Sequence, residues 1–217
     1  MKEITTKNKR VIHKPEKDLT INKGSGLLNI ARQCLSPNQD ERSDIDDLSL
    51  IVIHNISLPP NEFGGKGIDQ LFTNTINKDE HPFYEEIYEL RVSSHLLIRR
   101  DGELVQYVPF HQRAWHAGAS QYLGREVCND FSIGIEIEGT DFEAFTEKQY
   151  AVLETVIGAL LKTYPNLSAS SITGHEHIAF GRKTDPGPFF EWGRLSEKFN
   201  AVLPAKCDDI EKGEKKK

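Results

Sequence analysis

Cysteine is scarce in this sequence: Cys34, Cys128 and Cys207 are the only three in 217 residues. They are odd in number, far apart and form no CxxC pair. That pattern supports neither a zinc knuckle nor a disulfide framework and points to reduced thiols in a cytoplasm. Long apolar runs are missing as well, and none approaches the length needed to cross a membrane. The opening stretch MKEITTKNKRVIHKPEKDLT lacks the apolar core of a secretory signal. The expectation is a cytoplasmic protein without a membrane role. Positive charge is not in surplus: 33 acidic residues face 27 basic ones, for a net charge of -6. This argues against a general nucleic-acid binder, but a few local cations could still hold an anionic small ligand. The catalytic strings HExxH, GxSxG and GxGxxG do not occur. The glycine-rich EFGGKGID lacks the spacing of a phosphate-cradling loop and reads as a flexible connection.

What is present describes one globular domain. Hydrophobic residues make up 37% and charged residues 28%, ordinary values for a soluble domain with a core. Residues 1–20 read as a polar arm, 21–206 as the domain and 207–217 as a flexible charged tail. The run Leu48–Ile56 suits a buried strand ended by Pro59-Pro60. Pro82–Leu90 suits a short helix. Segments 94–100 and 103–108 flank Asp101-Gly102, a hairpin signal. In Phe131–Glu138, Phe131, Ile133, Ile135 and Ile137 alternate with Ser132, Gly134, Glu136 and Glu138. Thr146 and Gln149 form a capping-box pattern ahead of a helix to Tyr164, with Val152, Val156, Leu160 and Leu161 on one face. The sum is an α/β fold, a mixed central β-sheet flanked by helices.

The residues suited to chemistry are scattered: His54, Glu136, His175, Lys183 and Asp185. His54 ends a buried strand, where ligands gather in open sheets. The segment TGHEHIAFGRKTDPGP (173–188) is rich in ligand types, and its glycines and prolines predict an irregular loop rather than a helix. Pro186 pushes Asp185 toward extended backbone, which puts Lys183 and Asp185 on one side. Two neutral imidazoles and a carboxylate suffice to hold a catalytic zinc with one position open. A nearby carboxylate can then carry protons, and a lysine can stabilise an oxyanion. Periodicity alone leaves Glu136 and Glu138 equal candidates for that carboxylate.

Five blocks carry a family resemblance: IVIHNISLPPNEFGG (51–65), VSSHLLIRRDGELVQYVPF (92–110), RAWHAG (113–118), CNDFSIGIEIEGTD (128–141) and GRKTDPGPFFEW (181–192). In this order they closely resemble the 1,6-anhydro-N-acetylmuramyl-L-alanine amidases of the AmpD type. Those enzymes are zinc amidases related to peptidoglycan-recognition domains. The resemblance runs from about residue 25 to about residue 200. It implies Zn2+ held by His54, His175 and Asp185, with Glu136 rather than Glu138 as general base and Lys183 stabilising the oxyanion. It also implies hydrolysis of the lactyl–L-alanine amide in muropeptides during peptidoglycan recycling, by an enzyme expected to be monomeric. Asn55, Arg91, Trp115 and His116 are candidate substrate contacts: the ring of Trp115 suits a sugar face, and Arg91 suits a carboxylate. The sequence departs from the family's HxDIAPG pattern at His177 and Phe180. His177 could compete as a ligand, although the TGH register favours His175.

Overall fold

The apolar run near residue 50 and the alternating run near residue 135 lie side by side at the centre of the molecule. The computed structural model describes residues 18–203. Most of the arm and all of the tail expected from the sequence lie outside these residues. Asp18 and Thr20, at the end of that arm, are tied to Asn29: its Nδ2 donates to Asp18 O (2.9 Å), and its Oδ1 accepts the Thr20 N–H (2.8 Å).

Six strands form the central sheet: Arg32–Gln33 (β1), Leu50–Ile56 (β2), Leu96–Ile98 (β3), Leu104–Gln106 (β4), Ser132–Glu138 (β5) and Ile172–Gly174 (β6). Their spatial order is β6-β2-β5-β3-β4-β1. Only β3 and β4 pair antiparallel; the other neighbours are parallel. The sheet is therefore mixed, as expected. Its helices are Gly67–Phe72 (α1), Pro82–Ile87 (α2), Glu147–Thr163 (α3), His175–Ile178 (α4) and Trp192–Phe199 (α5).

The two faces of β5 do different work. Ile133, Ile135 and Ile137 join Ile51, Ile53, Leu96 and Ile98 in a core closed by α3 and α5. On the opposite face, Leu97 and Val105 pack with residues of α1 and α2. Register places Val105, Leu97, Glu136 and His54 in one row across four strands. Neighbours in a row share a face of the sheet. The row is therefore apolar where helices cover it and polar toward β2 and β6. Both faces of β5 are covered and all seven of its residues are buried, as is usual for parallel strands.

The expected helix at 146–164 is α3, with both bonds of the capping box formed between Thr146 and Gln149. Its buried stripe is wider than the sequence suggests. Tyr150, Leu153, Val156, Ile157 and Leu160 are buried, while Val152 and Leu161 flank the stripe. The α2 helix stops at Ile87, three residues short of the expected end. The hairpin turns through Arg100–Gly102, and of Asp101 and Gly102 only Gly102 takes positive φ (91°). Two segments depart further from expectation. The EFGGKGID loop is pinned to the sheet: Gly64 N–H donates to Glu138 Oε1 (2.7 Å), Arg99 Nη1 donates to Gly65 O (2.9 Å), and α1 begins at Gly67. The 173–188 segment is not irregular throughout. His175–Ile178 forms one helical turn, whose entry is steadied by the Gly174 N–H donating to His177 Nδ1 (3.2 Å). A single turn is too short to leave a 3.6-residue pattern.

Candidate active site

β2, β5 and β6 deliver the site's residues to one end of the sheet. His54 lies near the end of β2 and is paired in register with Glu136 of β5. Gly174 pairs with Ile53, so His175 emerges beside His54 as the chain enters α4. Asp185 returns through the following loop, where its carbonyl accepts the Glu176 N–H (2.9 Å). Asn55 secures the same loop, its Nδ2 donating to Pro186 O (3.1 Å) and Asp141 Oδ1 (2.6 Å).

Three ligand atoms converge there. His54 Nδ1 is 3.1 Å from His175 Nδ1, and Asp185 Oδ2 lies 2.9 Å from the first and 3.0 Å from the second. This is a group of metal-ligating type among the described residues. Tetrahedral zinc with bonds of about 2.0–2.1 Å would hold its ligand atoms about 3.3–3.4 Å apart. The triangle is within a few tenths of an ångström of that spacing. The hydrogen-bond chemistry also fits a cation. His175 Nε2 lies 3.1 Å from Ala117 O; a carbonyl only accepts, so Nε2 carries the hydrogen, and in the neutral form of the ring it is Nδ1 that is bare and turned inward.

The electrostatics agree. Burial pushes the His54 pKa down, against the opposing pull of Asp185, and so favours the neutral ring that a metal needs. Burial would raise the pKa of Asp185, but the His175 and His54 imidazoles outweigh it and hold the carboxyl below the usual range. The donor set is thus two imidazole nitrogens and one carboxylate oxygen.

Glu136 and Glu138 are both buried, at 8% and 1% exposure, and are used differently. Glu138 accepts from Gly64 N–H, Arg99 Nη1 (3.1 Å) and Arg100 N–H (3.1 Å), clamping the strand end to two loops. Glu136 Oε2 is buried with no hydrogen-bond partner among the described residues. Burial first, then the Asp185 charge, pushes the Glu136 pKa well above the usual carboxylate range, with Lys183 opposing. A raised carboxyl beside a metal-ligating group is the environment of a proton carrier. Lys183 is exposed and close enough to act electrostatically on both Glu136 and His54.

The remaining candidates lie in varied settings. His177 does not join the triangle. Its Nδ1 accepts from Gly174, and its ring meets Trp192 edge-on at 5.8 Å. Phe180 is 83% exposed. Trp115 is half-buried, its main-chain N–H donating to Ser93 Oγ (3.0 Å). Arg91 is exposed and donates to Tyr88 O and Leu90 O in its own segment. His116 spends both ring nitrogens inside the protein, 2.9 Å from His54 Nε2 and 3.1 Å from Ser132 Oγ.

Sequence reasoning missed Arg42. Its buried guanidinium donates to Phe110 O (3.2 Å), Asn129 O (3.0 Å), Asp130 O (2.9 Å) and Ser132 O (2.7 Å), fastening the loop that leads into β5. Burial lowers its pKa to about 10. Nothing in the sequence marks a lone arginine as interior, because its partners, four main-chain carbonyls and His95 Nε2 (2.9 Å), are distant in the chain. Arg42→Met leaves those acceptors without their donor, at about 1–3 kcal/mol for each one that water cannot reach. The expected loss exceeds about 3 kcal/mol in a urea titration, and a change under about 1 kcal/mol would refute this account.

Residues 45–188 match the N-acetylmuramoyl-L-alanine amidase family, and the chain belongs to it. It is 61% identical over 170 residues to the 1,6-anhydro-N-acetylmuramyl-L-alanine amidase AmpD of Escherichia coli (strain K12), covering 78% of this chain and 92% of that protein. The AmpD of Haemophilus influenzae (strain ATCC 51907 / DSM 11121 / KW20 / Rd) is 48% identical over 169 residues, with 78% and 92% covered. A crystal structure of a selenomethionine derivative of AmpD superposes with a TM-score of 0.78 at 58% identity, covering 80% of this chain and 97% of that one.

Proposed function

We propose that this chain hydrolyses the amide between the lactyl group of 1,6-anhydro-N-acetylmuramic acid and L-alanine, releasing the stem peptide from wall fragments for recycling. The observation that carries the reading is the triangle of His54, His175 and Asp185 beside a buried Glu136 oxygen with no hydrogen-bond partner among the described residues. The high identity to enzymes named for that substrate supports the choice of bond.

His54, His175 and Asp185 would hold zinc. When bound, zinc supplies Lewis-acid polarisation of the scissile carbonyl and lowers the pKa of water to about 7. Glu136 accepts the proton of the attacking water as its oxygen bonds to the lactyl carbon. The Lys183 ammonium stabilises the negative charge that develops on the carbonyl oxygen. As the C–N bond breaks, Glu136 passes the proton to the L-alanine nitrogen, which leaves as a free amine. Asn55 keeps the Asp185 loop against β2. Trp115 and Arg91 remain candidates for the sugar and for a stem carboxylate. No helix among the described residues is long and apolar enough to cross a membrane. The reading takes the chain as a monomer acting on wall fragments in the cytoplasm.

Turnover of purified anhydromuramyl peptide against intact sacculus tests the reading. Chelator-sensitive cleavage that favours the small fragment is the expected result. A strong preference for sacculus would defeat the recycling role, and binding without cleavage would defeat the enzymatic one.

A further inference from the structure

Both imidazoles of the triangle lean on the same two residues. His54 turns its outer nitrogen, Nε2, to His116 Nδ1 at 2.9 Å. His175 turns its own Nε2 to the carbonyl of Ala117, the next residue, at 3.1 Å. That dipeptide is itself held. Asn129 Oδ1 accepts both main-chain N–H groups, from His116 at 3.1 Å and from Ala117 at 2.8 Å. The His116 ring lies against Gly134 of β5, where a Cβ would come within 2.5 Å of its Cγ. Its far nitrogen reaches Ser132 Oγ at 3.1 Å.

We propose that His116 and Asn129 are positioning residues for the candidate zinc centre: His116 sets the tautomer of His54, and Asn129 holds the 116–117 segment that orients both imidazoles. The inference rests on the zinc reading given above. A neutral imidazole carries one hydrogen, so the nitrogen that donates outward decides which one is bare inward. Ala117 O forces that choice on His175. For His54 the choice passes through His116. With His54 Nε2–H donating to His116 Nδ1, the second ring donates its Nε2–H to Ser132 Oγ, and His54 Nδ1 is left bare toward Asp185 and His175. The opposite order puts a hydrogen on His54 Nδ1 and blocks a ligand position. Partners of this kind also fix ring orientation, and losing one typically costs about 10–100-fold in metal affinity.

Zinc affinity, measured by chelator competition without substrate, tests this together with long-range nitrogen–proton spectra of the imidazoles. His116→Leu removes the acceptor and is expected to weaken zinc binding about 10–100-fold. His116→Asn returns an amide oxygen near the place of Nδ1 and should recover much of that loss. Asn129→Ala should weaken binding with both His54 and His175 signals shifted. In the metal-free wild-type protein, His54 should already carry its hydrogen on Nε2. Wild-type affinity in His116→Leu, or a hydrogen on Nδ1 of His54, overturns the inference. Should His116→Leu not fold, the wild-type spectrum decides alone. His54→Ala separates the two levels: if it too binds zinc like the wild type, the zinc reading itself is wrong.

Discussion

Glu136→Gln is expected to lower turnover by about 10²–10⁴-fold, the usual worth of a positioned proton carrier, while zinc stays bound. Glutamine matches the side chain in size but cannot take the proton of water or return it to the departing nitrogen. The same change should stabilise the metal-free fold at neutral pH. Burial of Glu136 pushes its pKa well above the usual range. The folded state therefore favours the protonated form, and above the unfolded carboxyl's pKa of about 4.3 it binds more protons than the unfolded chain does. This contribution to stability is full below that value and is lost as pH rises through the folded pKa. Glutamine does not ionise and escapes the loss. Thermal melts in chelator from pH 4 to 8 should show the variant and wild type diverging with pH, the variant being higher at neutrality. Glu138→Gln is the control. Its carboxylate spends its oxygens on Gly64, Arg99 and Arg100, so the expected effect is on stability. If Glu136→Gln turned over normally and Glu138→Gln were dead at full stability, the roles would be reversed.

Asp185→Ala should abolish activity by removing the only anionic member of the triangle. Support residues behind ligands are worth about 10–100-fold in metal affinity, so loss of a ligand should exceed about 100-fold. Zinc content after dialysis reads this directly, and near-stoichiometric zinc would exclude Asp185 as a ligand. The metal-free protein offers a second readout. His175 and His54 overcome the effect of burial and hold the Asp185 pKa below its usual range. A depressed carboxyl contributes stability above its unfolded pKa of about 3.9, and that contribution fades as pH falls through the folded value. Asp185→Ala lacks it, so the gap between variant and wild type in chelator should be widest near neutrality and close in acid.

The legible parts of this molecule were those with a local signature. The capping box at Thr146 and Gln149 formed as its spacing required. The alternation in 132–138 gave an isoleucine face that packs under α3 and a second face that carries Glu136. Less legible were features whose partners are distant in sequence. Glu136 and Glu138 share a face and a chemistry, and periodicity could not choose between them; the family resemblance did. What separates them physically is company: Glu138 accepts hydrogen bonds from Gly64 and Arg99 in other parts of the chain, and Glu136 Oε2 accepts none among the described residues. The EFGGKGID loop looked flexible because glycine permits many conformations, yet Glu138 and Arg99 hold it in place. His116 stood among the candidate substrate contacts, and only the fold shows both its ring nitrogens facing His54 and Ser132.

By itself the sequence determined the central strands and the long helix α3, the mixed α/β architecture, and, through long blocks of resemblance, the family and its candidate ligands. Those follow from side-chain period, turn chemistry and residue identity, which are short-range properties. Only the tertiary structure decided that atoms of residues 54 and 185, 131 positions apart, lie 2.9 Å from each other, and that Arg42, His116 and Asn129 stand behind them. Sheet register and the hydrogen bonds of buried polar groups are set by the whole chain folding at once, so no local pattern encodes them.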